Sequence, residues 1–99
     1  MTEYSRIITS DFTPKILIYL NDAIKRHPDF VKTKQEAISI ITEELGELAK
    51  EVNDGNAECA KIELFHCIAT LLRLYHTYLV DDELEKNTEA FLSKEVKCG

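Results

Sequence analysis

The chain has 99 residues, with 18 acidic side chains against 12 basic ones and a net charge of -6. That length allows one small domain, and the acidic balance argues against a polymeric nucleic-acid partner, because a phosphate backbone needs a basic surface. Cys59, Cys67 and Cys98 lack metal-ligand spacing, residues 1–10 lack a hydrophobic signal core, and no apolar run approaches the ~20 residues of a membrane helix; the expected setting is a reduced cytoplasm, away from membranes.

Few glycines and prolines and no hairpin signal predict an all-α fold. Residues 1–12 read as an N-terminal arm and 13–97 as a single helical domain. Thr13-Pro14 has the form of a helix start, with Thr as N-cap and Pro at the first helical position. The helix that follows carries Ile16, Leu17, Leu20, Ala23 and Ile24 and stops at His27-Pro28, since proline disfavours helix in the residue before it.

Thr33 and Glu36 fit a capping box for a second helix, whose apolar positions are Ile38, Ile41, Leu45, Leu48 and Val52. Asn53-Asp54-Gly55-Asn56 ends it, with Gly55 suited to the left-handed position beyond a helix end. A third helix runs from about Ala57 to Leu79. Phe65, Ile68, Leu72, Tyr75 and Leu79 form its stripe, widened by Leu64, Leu71 and Tyr78; Glu63, His66, Thr70, Arg73 and Thr77 share a narrow polar face. So apolar a helix belongs at the centre of a bundle or in a dimer interface. Asp81-Asp82 caps a short fourth helix carrying Ala90, Phe91 and Val96. Together these elements predict a four-helix bundle completed by oligomerisation, as a homodimer or homotetramer.

The chemistry-bearing residues concentrate on the second and third helices. Glu44, Glu47 and Glu51 fall on one helical edge, and Glu63 and His66 are one turn apart on the next helix. Carboxylates gathered beside an apolar stripe repel one another and lose hydration, a cost that a divalent cation would offset. The alternative is a solvated acidic face in which Glu47 pairs with Lys50 and His66 is an ordinary hydrogen-bonded residue. His27 reads as loop structure and His76 as packing, while Tyr19, Tyr75 and Tyr78 read as core or interface.

The stretch from Ile41 to Glu51, containing Glu43-Glu44-Leu45-Gly46-Glu47-Leu48, resembles the first motif of the MazG-like all-α nucleoside triphosphate pyrophosphohydrolases. His27-Pro28-Asp29-Phe30 upstream and the spacing to Lys61-Ile62-Glu63-Leu64-Phe65-His66 are similar too, so the likeness spans about Leu17 to Leu79. The resemblance implies a helical, oligomeric fold. It also implies Mg²⁺ bound by a Glu-x-x-Glu and a Glu-x-x-Asp on successive helices, and cleavage of a nucleoside triphosphate to monophosphate and pyrophosphate. Glu44 and Glu47 match the first pair and Glu63 opens the second. His66 stands where the family carries Asp, which makes Mn²⁺ a better fit than Mg²⁺, because imidazole suits transition metals.

On this reading Glu44, Glu47, Glu63 and His66 hold the metal, and Glu47 is a candidate base for the attacking water. Lys50, Lys61 and Arg73 are candidates to steady the pyrophosphate, each having an ordinary solvated role as the alternative. Two other readings stand beside it. One is a non-catalytic helical module for binding or oligomerisation. The other is a di-metal carboxylate bundle, in which a dimer completes the Glu and Glu-x-x-His set supplied by one chain.

Overall fold

A computed structural model describes residues 2–80 of the chain. The fourth helix expected after Asp81-Asp82 lies outside those residues. Among the described residues there are helices and no strands: α1 (Glu3–Ile7), α2 (Thr13–Arg26), α3 (Lys34–Asn53) and α4 (Ala57–Leu74). A π-helical turn, Ile8–Phe12, joins α1 to α2, and a second, Tyr75–Leu79, extends α4. No described helix is long and apolar enough to cross a membrane.

The first helix begins earlier than Thr13-Pro14 suggests. Thr2 is the N-cap, its side chain accepting from the Ser5 N–H at 3.1 Å, and Glu3 pairs with Arg6 one turn on. Thr13 is itself helical. Its N–H and its hydroxyl both donate to the Ile8 carbonyl, the hydroxyl at 2.6 Å. Pro14 has no N–H to give, so the widened turn falls where the regular ladder loses a donor. Proline inside a helix is thus absorbed by a bulge, and residues 3–12 continue the helix into the segment expected to be a separate arm.

The other boundaries follow the local chemistry read from the sequence. His27, before Pro28, leaves the helical region at φ -135° and ψ 77°. Thr33 caps α3 by accepting from the Glu36 N–H at 3.1 Å, while the Glu36 carboxylate accepts from the Lys32 N–H at 3.3 Å. Gly55 takes φ 75°, and the N–H groups of Gly55 and Asn56 return to the carbonyls of Val52 and Glu51. The Asn56 side chain then accepts from the Cys59 N–H and starts α4.

This short turn folds α3 back against α4, which is the most extensive helix pair, and α2 packs on another side of α4. The α2 contacts climb both helices together. Phe12 and Tyr19 meet Phe65 at ring separations of 5.3 and 5.1 Å, Arg73 reaches Ala23 and His27, and Phe30 meets Tyr78. Thus α2 and α4 run parallel, and α4 occupies the centre, as its composition predicts.

The orientation of α4 differs from the simplest reading of its pattern. Glu63, Thr70 and Arg73, from the polar face, are half-buried between α2 and α3, while Leu64, Leu71, Leu72, Tyr75 and Leu79 from the apolar stripe are exposed. The buried apolar residues among those described are Ala37, Cys67, Ala69 and Leu74. On α3, Ile41 and Leu48 are half-buried but Ile38, Leu45 and Val52 face outward. Replacing Gly55 by Ala forces a Cβ into the left-handed region and should destabilise the fold by about 1 kcal/mol. An unchanged urea midpoint for Gly55→Ala would show that the α3–α4 turn carries no such constraint.

Candidate metal centre and adjoining cleft

The α3–α4 pairing brings Glu44 opposite Glu63 and His66. One potential ligand atom from each of the three lies within 4.8 Å of the others. His66 Nδ1 is 3.6 Å from Glu63 Oε2 and 4.0 Å from Glu44 Oε2, beyond hydrogen-bonding distance in both cases. Both of those carboxylate oxygens are shielded from solvent and have no hydrogen-bond partner. A desolvated carboxylate oxygen without a donor is costly, and a pair of them aimed at one imidazole nitrogen is the donor arrangement a divalent cation would satisfy. Two carboxylates and an imidazole fit Mn²⁺ or a similar transition metal better than Mg²⁺.

His66 is held from behind. Its ring stands edge-on to Tyr19 at 5.5 Å, and Thr70 donates to its backbone carbonyl at 3.0 Å. Tyr19 in turn stacks on Phe65, so aromatic rings from α2 and α4 pack beside the imidazole. Cys67 lies beneath the cluster. Burial first, then the negative charge of Glu44, Glu63 and Glu47, pushes its thiol above the usual range. Cys59 and Cys67 are both free thiols.

Glu47, one turn on from Glu44, is exposed and stands outside the trio. Its carboxyl nevertheless feels the charge of Glu63. A hydrogen bond with Glu63, then the negative charge of Glu63, then loss of hydration raise its pKa above the ordinary carboxylate range, against a smaller opposite pull from His66.

Two of the three, Glu44 and His66, border a cleft of about 410 Å³ between α2, the loop after it, α3 and α4. Glu44 and His66 line one part of it, with Thr70 and Arg73 further along α4, and Tyr19, Arg26 and Phe30 on the facing side. Arg73 is the brace of this cleft. Its guanidinium donates to the carbonyls of His27 at 2.7 Å, Pro28 at 3.3 Å and Ala23 at 3.5 Å, and lies 4.8 Å over the Phe30 ring. A cation on the carbonyl end of α2 also complements the helix dipole. Arg26 pairs with Asp22 on the surface of α2.

Among the residues expected to form the site, the fold thus gathers Glu44, Glu63 and His66 as potential ligands, with Glu47 beside them. Arg73 sits in the cleft wall with its donors committed to backbone carbonyls. Lys50 and Lys61 are exposed and do not line the cleft, and Lys61 pairs with Glu58 at 3.4 Å. Tyr19, Arg26 and Phe30 were not among the expected site residues. Their signal in the sequence is faint, because they lie far along the chain from both acidic segments and only tertiary packing brings them alongside. No protein-family model, curated protein or solved structure matches this chain.

Two outcomes follow from this geometry. Arg73→Met should lower stability by about 1–3 kcal/mol in chemical denaturation, through loss of its charged hydrogen bonds; a wild-type midpoint would show that the brace is dispensable. For Glu47, a folded-state pKa above the unfolded one favours the fold below the ordinary carboxylate range and loses that contribution as pH rises through the folded value. In chelator-treated buffer Glu47→Gln should therefore melt above wild type at neutral pH. The gap should narrow on acidification, as the wild-type carboxyl takes up its proton. A gap that stayed constant with pH would exclude the coupling to Glu63.

Proposed function

We propose that this chain is a MazG-like nucleotide pyrophosphohydrolase that uses Mn²⁺ or Mg²⁺ to split a nucleoside triphosphate into monophosphate and pyrophosphate. The observation that carries the reading is the meeting of Glu44, Glu63 and His66, with their two donorless carboxylate oxygens, at the edge of a cleft. Glu44 and Glu63 are two of the residues that the motif resemblance assigns to the metal and come from separate helices; His66 stands where the family carries Asp, and Glu47 lies outside the trio.

In this reading Glu44, Glu63 and His66 hold the cation, and its bound form supplies charge neutralisation for the triphosphate and a more acidic water. The chain's own residues do the rest. Glu47 accepts a proton from the attacking water, and its raised pKa makes it a stronger base than a free carboxylate. The water oxygen bonds to the α-phosphorus, the bond to the bridging oxygen breaks, and pyrophosphate leaves with that electron pair. Arg26, at the cleft and tied to solvent-exposed Asp22, is better placed than Lys50 or Lys61 to meet a phosphate. Arg73 holds the His27–Phe30 loop against α4 and so keeps the opposite wall in place.

The test is pyrophosphate release from a panel of ribo- and deoxyribonucleoside triphosphates with each metal. Turnover should be higher with Mn²⁺ than with Mg²⁺. It should fall by about a hundredfold or more in Glu47→Gln and be lost in Glu44→Ala together with metal binding. Unchanged turnover in both variants would reject the assignment. No release from any substrate by a folded, metal-binding protein would leave a binding module as the better description.

The adjacency of Glu63 and His66 on α4 also suits a di-metal carboxylate centre shared between two copies. Tightly held, coloured iron in the purified protein would favour that centre, and weak Mn²⁺ binding would favour the hydrolase.

A further inference from the structure

We infer that the cation held by Glu44, Glu63 and His66 is also a tie between α3 and α4: the pair opens more readily without it and is held shut on binding it, so metal supply governs how much of the protein has an assembled cleft. This regulation rests on the reading of the trio as a metal centre, and not on the hydrolytic step. The α3–α4 pair is the most extensive in the fold, yet it has little apolar burial to hold it. Ala37, Cys67, Ala69 and Leu74 are the buried apolar residues among those described, and no large side chain there is fully buried. Small side chains remove little apolar surface from water, so a pair joined through them gains little from the hydrophobic effect.

The charge at the seam works against closure. Glu44 and Glu63 keep only 25 and 21 % of their side-chain surface exposed, and the Oε2 atom of each is shielded and without a hydrogen-bond partner. The pairs Glu3–Arg6, Asp11–Lys15, Asp22–Arg26 and Glu58–Lys61 each join exposed side chains one turn apart, and none crosses from α3 to α4. His66 Nδ1, at 3.6 and 4.0 Å from the two oxygens, makes a hydrogen bond to neither. Opposed, desolvated carboxylates with no donor favour separation of the helices that carry them.

The placement of the ligands turns that weakness into a switch. Glu44 comes from α3, and Glu63 and His66 come from α4, so the full donor set exists only while the pair is shut. A ligand that binds the shut form alone must stabilise it. His66 is the exposed member of the trio and gives a cation a way in from solvent. The same closure assembles the cleft, because Ile40 and Glu44 of α3 and His66, Ala69 and Thr70 of α4 stand on walls that the seam joins.

Backbone hydrogen exchange of the full chain, in chelator and in Mn²⁺, tests the tie. With Mn²⁺ at ten times its Kd, peptides around Glu44 on α3 and around Glu63–Ala69 on α4 should both exchange about tenfold more slowly. Glu63→Gln removes one of the opposed charges. Its seam should exchange more slowly than wild type in chelator and should be indifferent to Mn²⁺; Glu44→Gln should behave alike. Glu43→Gln, on the exposed side of α3, should respond as wild type does. His66→Asp should bring the effect of Mg²⁺ up to that of Mn²⁺. Slowing on one helix alone, no slowing with Mn²⁺, or a Glu63→Gln seam that exchanges faster than wild type in chelator would overturn the inference. A protein that gains this protection but releases no pyrophosphate keeps the tie and loses the hydrolase. One that releases pyrophosphate with unchanged exchange keeps the hydrolase and loses the tie.

Discussion

Glu44 and Glu63 press desolvated carboxylate oxygens toward one imidazole across the α3–α4 seam, and much of the rest of the molecule can be read from that arrangement. Like charges at this range oppose the packing of the two helices that make the most contact. The seam closes because a tight turn at Gly55 and small buried residues, Ala37 and Ala69, let the helices come together. The cost is felt by the neighbours. Glu47 binds its proton more tightly through Glu63, and the Cys67 thiol is kept protonated by burial and by the same carboxylates.

The seam also explains why part of the polar face of α4 is covered. A helix with one broad apolar stripe and one narrow polar face would ordinarily bury the stripe. Here Glu63, Thr70 and Arg73 of the polar face are half-buried, because Glu63 lies beside Glu44 at the seam and Arg73 satisfies the carbonyl end of α2, while His66 and Thr77 stay exposed. Once those polar contacts are placed, the leucines at 64, 71 and 72 are left on the outer surface. Large apolar side chains outside and small ones inside are the mark of a unit that needs further cover. On α3 the same division puts Ile41 and Leu48 within and Ile38, Leu45 and Val52 without.

The cleft depends on a different interaction. Arg73 gathers the carbonyls of Ala23, His27 and Pro28 and covers Phe30, which ties the loop after α2 to the far half of α4. Tyr19 stacked on Phe65 anchors the near half, beside His66. One cation and one aromatic stack thereby set the distance between the potential ligands and the facing wall.

Local physics was legible along the chain. The caps at Thr33 and Gly55, the stop at His27-Pro28 and the pairing of Glu63 with His66 by one helical turn are determined within a few residues, and the structure bears each of them out. Thr13-Pro14 misled because a proline marks either a helix start or an interior bulge, and only the helical residues before it, capped at Thr2, decide between them. Tertiary structure alone decided which side of α3 and α4 is inside, that Glu47 stands beside the trio and not within it, that Arg73 is spent on backbone carbonyls, and that Tyr19, Arg26 and Phe30 line one cleft with Glu44 and His66. Periodicity determines which residues share a helical face, but the direction in which that face turns is a sum over contacts between segments tens of residues apart.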